Sequence, residues 1–290
     1  MKNILSHFPF RPWAGASFVL ALSLAGCTEK KSGPPPVTPP TTATEVNAEA
    51  RAYNLYTELV WSDEFNGSAI DQSKWGYDLG GGGWGNNELQ AYTNSNNNAF
   101  VSGGNLTIVA RREQSGNNAY TSARMLTKGK QTFVFGRTDI RAKIPKGKGI
   151  WPAIWMLGAD IDQNNWPKCG EIDIMELRGS RPTELLSTMH FGDPNRVLRG
   201  TTSIQPVDLS ADFHIYSAVR SKDQIRFFID GTQYFTFSSS DVGSSPYPFN
   251  NPFFMILNVA VGGDFDGNPD ASTTFPQQML VDYVKHFQYK

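Results

Sequence analysis

The sequence predicts an all-β protein, a sandwich or jelly roll of antiparallel sheets. Short segments in which apolar and polar residues alternate recur along the chain, for example at 105–111, 136–144 and 224–230, and this period of two is typical of half-buried strands. Turn signals separate such segments, and Asp230-Gly231 is a strong signal for a two-residue hairpin. Because many strands occur without intervening helical periodicity, a sandwich or jelly roll is favoured over an α/β fold.

The charge and composition exclude several classes of function. The 290-residue chain has a formal net charge of −1, which argues against binding to nucleic acid or to an anionic membrane through bulk charge. We therefore expect no nucleic-acid partner. Charged residues make up only 18% of the chain, too few for a coiled coil or a charge-rich disordered protein.

Residues 1–26 predict an export signal. This segment carries basic but no acidic residues, and its apolar run at 18–26 is too short to span a bilayer as a helix. The run ends in Leu24-Ala-Gly-Cys27, which resembles a bacterial lipobox. An ordinary signal peptide with a chance cysteine is the alternative, but only two cysteines occur and one falls at the required position. We expect an exported bacterial lipoprotein, anchored through Cys27 to the outer membrane and facing the periplasm or the cell surface.

A linker and one domain are expected after the signal. Residues 27–52 comprise the lipidated cysteine and a stretch rich in proline and threonine, a composition that forms a semi-extended spacer. Composition does not change again over 53–290, which we interpret as a single catalytic domain that acts as a monomer. Cys169, its one cysteine, is expected to be a buried apolar residue rather than a nucleophile.

The acidic segment Glu171-Ile-Asp-Ile-Met-Glu176 carries the chemistry. In a strand, Glu171 and Asp173 share one face while Ile172 and Ile174 share the other. Strict alternation would direct Glu176 into the core, where an unpaired carboxylate is costly. A β-bulge at 174–175 would return it to the acidic face, and bulges are common beside active sites.

Three acids on one face suit glycosidic bond cleavage. Two glutamates leaning together could approach the ~5–5.5 Å carboxyl separation of retaining glycosidases. Close like charges raise one pKa and keep one carboxyl protonated near neutral pH. The alternative is a solvent-exposed strand face with three unpaired acids, and the acidic segment alone does not decide between the two.

Aromatic and polar residues nearby favour a sugar-binding cleft. Trp151 and Trp155 fall on one strand face with the small Ala153 between them, so their indoles make a flat platform for sugar rings; two core tryptophans are the alternative. Asn86 lies in a glycine-rich loop that fits no phosphate loop and suits sugar hydroxyls. His190 could border the cleft, although a lone histidine is more often structural.

These segments together resemble glycoside hydrolase family 16, in particular its laminarinase-like branch of endo-β-1,3-glucanases. The motifs that carry the resemblance, which spans residues 57–290, are Trp61-Ser-Asp-Glu-Phe65, Trp84-Gly-Asn-Asn-Glu-Leu-Gln90, Trp151-Pro-Ala-Ile-Trp-Met156, Glu171-Ile-Asp-Ile-Met-Glu176 and Val281-Asp-Tyr-Val284.

The resemblance implies a concave jelly roll with an open cleft and a retaining, double-displacement mechanism without an organic cofactor. By motif position, Glu171 matches the nucleophile, Glu176 the acid/base and Asp173 the assisting acid. The positions that match substrate-binding residues of the cleft are Trp151, Trp155, Asn86 and His190.

The resemblance also implies one structural Ca²⁺ and exposes one departure. The positions that match calcium ligands are the carboxylates of Glu64 and Asp282 and the backbone of Gly104, and such oxygen ligands suit a hard cation. Members of this branch often carry tryptophan where this chain has Phe265, so the strength or register of one sugar subsite is open.

The predicted activity is hydrolysis within a β-1,3-glucan of the laminarin type, and other readings stay open. The substrate could instead be mixed-linkage β-1,3-1,4-glucan or a marine galactan such as agarose or carrageenan. The bulged spacing speaks against the unbulged relatives that act on lichenan or xyloglucan. A non-catalytic β-glucan-binding protein or an adhesion lipoprotein at the cell surface is the non-enzymatic alternative.

Overall fold

The computed structural model of the chain describes residues 47–290. The predicted signal peptide, the lipidation site at Cys27 and most of the predicted linker lie outside these residues. Within the described part, no helix is both long enough and apolar enough to cross a membrane.

Strands make up nearly all of the regular structure in residues 47–290. In chain order they are β1 (Glu58–Asp63), β2 (Gly76–Asp78), β3 (Gln90–Tyr92), β4 (Ala99–Ser102), β5 (Asn105–Ala110), β6 (Tyr120–Ser122), β7 (Arg124–Leu126), β8 (Gly136–Lys143), β9 (Ile150–Gly158), β10 (Glu171–Leu177), β11 (Glu184–Phe191), β12 (Val197–Ile204), β13 (His214–Ser221), β14 (Gln224–Ile229), β15 (Thr232–Ser238), β16 (Phe253–Val261) and β17 (Gln277–Gln288). The helical residues form three short 3₁₀ turns, Tyr53–Leu55, Ser239–Val242 and Pro248–Asn250.

The strands form two large antiparallel sheets, as predicted. One sheet has the order β15-β14-β13-β8-β17-β5-β4, with β1 also paired to β17. The other has the order β12-β11-β10-β9-β16-β7-β2. A small third sheet departs from the prediction, because its two strands, β3 and β6, run parallel. Several neighbours in each large sheet, such as β8 and β17 or β9 and β16, are far apart in sequence, so the topology brings distant motifs together.

The core lies between the two large sheets. One cluster of buried apolar residues includes Ile140 of the first sheet and Ile172, Ile174 and Leu257 of the second, all fully buried. Burial of an aliphatic side chain of this size stabilises the fold by about 1.5–3 kcal/mol. Since the side chains on the inner face of the second sheet form the core, its polar and aromatic side chains lie on the outer face.

Local signals place the strand ends where the sequence predicts them. The three segments used to predict the fold correspond to β5, β8 and β14, each within one residue of its predicted end. Asp230 and Gly231 join β14 to β15 with φ values of 48° and 77°, the left-handed conformation that a tight hairpin turn requires. The domain also begins before residue 53, because the Asn47 side chain bonds the backbone of Tyr289 and the amide of Lys222 donates to the carbonyl of Ala48.

Candidate active site

A bulge in β10 controls which side chains reach the outer face of the second sheet. Against β11, Asp173 is opposite Thr188 and Glu176 is opposite Leu186, so two residues of β10 face one residue of its partner. The predicted bulge is thus confirmed. The hydroxyl of Ser187, the single residue opposite, donates a 2.8 Å hydrogen bond to the carbonyl of Ile174 and satisfies an acceptor at this irregularity.

The bulge separates the core side chains from the acidic ones. Ile174 and Met175 are both fully buried in the core. Glu171, Asp173 and Glu176 all line a cleft on the other face. Because two consecutive residues fill the core, the alternation restarts at Glu176, and the carboxylate avoids the apolar interior.

The cleft has a volume of about 820 Å³ and runs over the outer face of the second sheet. Its floor comes from β9, β10, β11, β12 and β16, and its walls come from loops that follow these strands and from the loop before β3. The aromatic residues that line it are Trp84, Tyr92, Trp151, Trp155, Trp166 and Phe265. The predicted binding residues Trp151, Trp155, Asn86 and His190 all line it.

His190 lies against two of the three acids. Its Nε2 atom is 3.2 Å from Oδ2 of Asp173 and 3.6 Å from Oε1 of Glu171. Register explains this proximity, since His190 is directly opposite Glu171 in the β10–β11 pair. The imidazole therefore lies within ion-pair distance of both carboxyl groups.

An indole N–H donates to each of the two glutamates. Nε1 of Trp166 donates to Oε2 of Glu171 at 3.0 Å, and Nε1 of Trp151 donates to Oε1 of Glu176 at 2.9 Å. Such bonds fix the carboxyl groups in orientation without adding a charge. Trp151 therefore has a polar contact in addition to the flat face that the sequence pattern predicts.

Burial raises the pKa of all three acids. Desolvation is the largest cause for each, and it raises the pKa of Glu171, Asp173 and Glu176 to about 8. The charge of Asp173 raises the pKa values of both glutamates further, while His190 and the two indole N–H groups lower them. The cluster therefore holds protons at neutral pH, as a group that must donate one to a leaving oxygen requires.

A hydrogen-bonded network that sequence reasoning missed supports another part of the same cleft. Nε1 of Trp155 donates to Asn258 at 2.7 Å, whose amide donates to the hydroxyl of Tyr92 at 3.0 Å. Glu88 accepts from Tyr92 at 3.3 Å and from Asn86 at 2.9 Å. The network joins Trp155 to Asn86, so two predicted binding residues are held by one set of bonds.

Three arginines also line the cleft and were not predicted. Arg124 lies between two indole rings, 4.9 Å from the centre of Trp84 and 4.6 Å from that of Trp155. Arg178 lies over Phe265 and Arg196 over Trp166. Single arginines in short segments give no periodic signal, so only the folded sheet reveals that they face aromatic rings.

The residues predicted as calcium ligands lie in three segments around the point where β17 changes partner. Val281 of β17 pairs with β5, whereas Val284 pairs with β1. Asp282 lies between these two pairings, Gly104 immediately precedes β5, and Glu64 immediately follows β1. Strand register thus brings the three segments together at one gap, and carboxylate and carbonyl oxygens are ligands that suit a hard cation. The two carboxylates pair with Arg141 at 2.7 Å and Lys285 at 3.3 Å, and an ion would have to replace these partners.

The site defines a class of protein before any comparison is made. A trough floored by a sheet and walled by indoles suits the flat faces of sugar rings. Paired glutamates, protonated in part at neutral pH and held by separate donors, suit cleavage of the bond between two sugars. These are the properties of a glycosidase.

The chain belongs to glycosyl hydrolases family 16, whose model matches residues 86–285. It is 43% identical over 248 residues to a beta-glucanase of Rhodothermus marinus, covering 80% of this chain and 85% of that protein. It is 40% identical to a glucan endo-1,3-beta-glucosidase of Cryptopygus antarcticus, covering 80% and 92% of the two chains. The laminarinase catalytic domain of Thermotoga maritima has a similar structure, with a TM-score of 0.77, 43% identity and coverage of 80% and 98%.

Proposed function

We propose that this enzyme hydrolyses internal linkages of β-1,3-glucan with retention of configuration at the cleaved carbon. Relatives named as β-1,3-glucanases at 40% identity or above support this substrate. The observation that carries the proposal is the bulged strand β10, which presents Glu171, Asp173 and Glu176 to one sugar-sized cleft. A solvent-exposed acidic face would not bury these groups or supply an indole donor to each glutamate.

Two displacements account for the reaction. Glu171 attacks the anomeric carbon through a carboxylate oxygen while the protonated Glu176 gives its proton to the departing glycosidic oxygen. The glycosyl group is then covalently bound to Glu171, and Glu176 is an anion. Glu176 next takes a proton from water as the water oxygen attacks the same carbon, which frees Glu171 as a carboxylate. The sugar is released in its original β configuration.

Asp173 and His190 would balance the charges of the two glutamates. Asp173 lies between them on the strand and contacts His190, which also approaches Glu171. When Asp173 is protonated, Glu171 can ionise beside it without like-charge repulsion. His190 therefore has a role in charge balance as well as its predicted place in substrate binding.

The charges of the cleft favour a neutral glucan over a sulfated galactan. Arg124 pairs with Asp78 at 2.9 Å, and Arg178 is 3.7 Å from Glu184. Both guanidinium groups also lie on aromatic rings, so much of their donor capacity is already used. Among the described residues, Arg196 is the one of the three cleft arginines that is exposed and without an ion pair, so the cleft offers a sulfate ester a single free guanidinium group.

A product profile tests the substrate and the stereochemistry together. We expect short oligosaccharides early in the digestion of laminarin, less product from barley β-glucan and none from agarose. Proton NMR of the first products should show the β-anomer. An initial α-anomer would overturn retention, and products from agarose alone would overturn the glucan assignment.

Replacement of the nucleophile tests the residue roles. Glu171→Ala should abolish hydrolysis, and added azide should rescue it with formation of an α-glycosyl azide, because the small anion enters the space of the missing carboxylate. Glu171→Asp is the matched control, because the shorter aspartate keeps the carboxylate charge but holds it farther from the anomeric carbon. Full activity of Glu171→Ala without azide would end the proposal.

We further propose that the enzyme is a monomeric lipoprotein tethered through Cys27. The lipobox-like Leu24-Ala-Gly-Cys27 and the proline-rich segment after it support the tether. Cells that express the full chain should incorporate labelled palmitate into the wild type but not into Cys27→Ala, and fractionation with surface proteolysis should place the domain at the outer membrane. Light scattering of the purified domain should give the monomer mass.

A structural Ca²⁺ at Glu64, Gly104 and Asp282 completes the proposal. Its support is the convergence of these three segments where β17 exchanges β5 for β1. Calcium should raise the melting temperature of the wild type, and chelation should lower it. Asp282→Asn should remove this response without changing the stereochemistry of the product. If calcium leaves the melting temperature of the wild type unchanged, the proposed calcium site is refuted.

A further inference from the structure

Phe265 has both of its faces covered by groups of the protein. Its ring stacks on Trp151 with a centroid distance of 4.6 Å and an angle of 28° between planes. The guanidinium of Arg178 lies over the same ring, 4.5 Å from its centre. A stacked indole and a guanidinium at these distances cannot share one face, so they cover opposite faces and leave only the ring edge toward the cleft.

The loop that carries Phe265 is tied to the sheet on both sides of the ring. The amide of Gly262 donates to the carbonyl of Gly149 at 2.8 Å. The buried carboxylate of Asp266 accepts from the amides of Gly149 at 2.9 Å and Ser180 at 3.1 Å, and also from the Ser180 hydroxyl. These bonds hold the ring in place independently of any bound sugar.

Both groups that cover Phe265 are also linked to Glu176, one through a hydrogen bond and the other through the chain. Trp151 donates its indole N–H to Oε1 of Glu176 at 2.9 Å. Arg178 follows Glu176 by two residues, and its Nε donates to the carbonyl of Phe265 at 3.0 Å. Across the sheet, Trp151 is opposite Ala260, whose small side chain leaves room for the Phe265 ring to fold back over the indole.

We propose that Phe265 is a positioning residue for the acid/base Glu176: it clamps Trp151 and Arg178, and it does not serve as a stacking platform for a sugar ring. The inference rests on the proposed function, since it assigns a role within that reaction. The phenyl ring fits between an indole and a guanidinium group that are both in contact with it.

Loss of the clamp has a defined electrostatic consequence. Trp151 and Arg178 each lower the pKa of Glu176, as does His190 from β11, whereas burial and the neighbouring Asp173 raise it. Glu171 is the remaining acid on the strand face. If the ring is removed, the indole and the guanidinium lose their fixed orientation and the pKa of Glu176 should rise. Activity would then persist to higher pH even though its maximum falls.

Kinetics of Phe265→Leu separate positioning from sugar binding. On laminarin we expect kcat to fall roughly 10- to 100-fold, the size of effect that a small misplacement of a catalytic group produces, with little change in KM and with the basic limb of the pH profile displaced upward. On a dinitrophenyl β-laminarioligosaccharide, whose leaving group needs no proton, the loss should nearly vanish in the glycosylation step. An equal loss on both substrates, or a loss confined to KM, would overturn the proposal.

Three further variants control for folding and for unrelated changes in the cleft. Trp151→Phe removes the donor and should displace the same limb. Adding Phe265→Leu to it should displace the limb by less than Phe265→Leu does alone, because only the contact with Arg178 is then left to lose. Phe265→Tyr keeps the stack and should behave as the wild type. Trp155→Phe, whose lost N–H served Asn258, should leave the limb in place. Melting curves report whether each variant folds.

Failure of the proposed function would look different from failure of this inference. If the wild type does not cleave β-1,3-glucan, the substrate assignment has failed. The clamp can then still be tested by carbon NMR titration of Glu176 in the wild type and in Phe265→Leu. Identical titration midpoints would overturn the clamp whatever the substrate is.

Discussion

Replacing Asp173 with asparagine should stabilise the protein at neutral pH while damaging its activity. Asp173 is 3% exposed, and burial raises its pKa from 3.8 to about 8. Between these two values the folded protein binds a proton that the unfolded chain releases, so the free energy of unfolding falls as the pH rises. Asparagine has nearly the same shape and cannot ionise, so the variant escapes this penalty.

The size of the effect follows from the displaced pKa. Retaining the proton on Asp173 costs about 1.4 kcal/mol for each unit of pH above 3.8, which is about 4 kcal/mol at pH 7. For a domain of this size, 1 kcal/mol corresponds to about 2–4 °C in melting temperature. The two pH units between pH 5 and pH 7 account for about 3 kcal/mol of this cost, so the advantage of Asp173→Asn over the wild type should grow by roughly 6–12 °C across that range.

Differential scanning fluorimetry across pH 4–8 measures this change, and the slope with pH is the decisive quantity. Asp264→Asn is the matched control, because Asp264 is an exposed residue on the rim of the same cleft; its curve should run parallel to that of the wild type. Parallel curves for Asp173→Asn and the wild type would refute the reasoning, since they would mean that folding takes up no proton at this carboxyl group.

Three further predictions follow from single contacts. Trp166→Phe removes the donor to Glu171, so the pKa of that carboxyl rises and the acidic limb of the kcat/KM profile should move to higher pH; an unmoved limb would contradict the contact. Ser187→Ala leaves the carbonyl of Ile174 without its 2.8 Å hydroxyl donor and should lower the urea-derived free energy of unfolding by about 1–3 kcal/mol, whereas the same change at the exposed strand residue Ser102 should not. Asn258→Ala breaks the network between Trp155 and Tyr92 and should raise KM for laminarin several-fold without moving either limb; a moved limb would instead tie this network to the acids.

The sequence predicts the fold and the acidic strand because both depend on local patterns. Alternation places β5, β8 and β14, and the conflict between alternation and a buried Glu176 is enough to predict the bulge. The residues that contact the acids cannot be predicted from such local patterns. His190 meets Glu171 through strand register, and Trp166 reaches Glu171 from a loop, so neither contact has a signal within a short segment.

The missed network and the missed clamp have the same physical origin. Asn258 and Tyr92 are 166 residues apart and bond only because β16 lies next to the segment that carries Tyr92. Phe265 stands out in the sequence as a departure from a common tryptophan, yet its role depends on the two groups that cover its faces. Pairings of this kind are fixed by sheet order, which the sequence pattern of single strands does not determine.

The bulge in β10 also sets how this protein can change over evolutionary time. Deleting one codon at 174–175 would restore strict alternation as Glu-x-Asp-x-Glu, and all three acids would stay on the face of the cleft. The pairing on both sides of the bulge would be kept, because two residues of β10 are opposite one residue of β9 and one residue of β11. The deletion would remove one buried apolar side chain and shorten the distance along the strand between the two glutamates. The bulged and unbulged forms of this strand are therefore one codon apart, and a lineage can exchange them without reversing the faces of the strand.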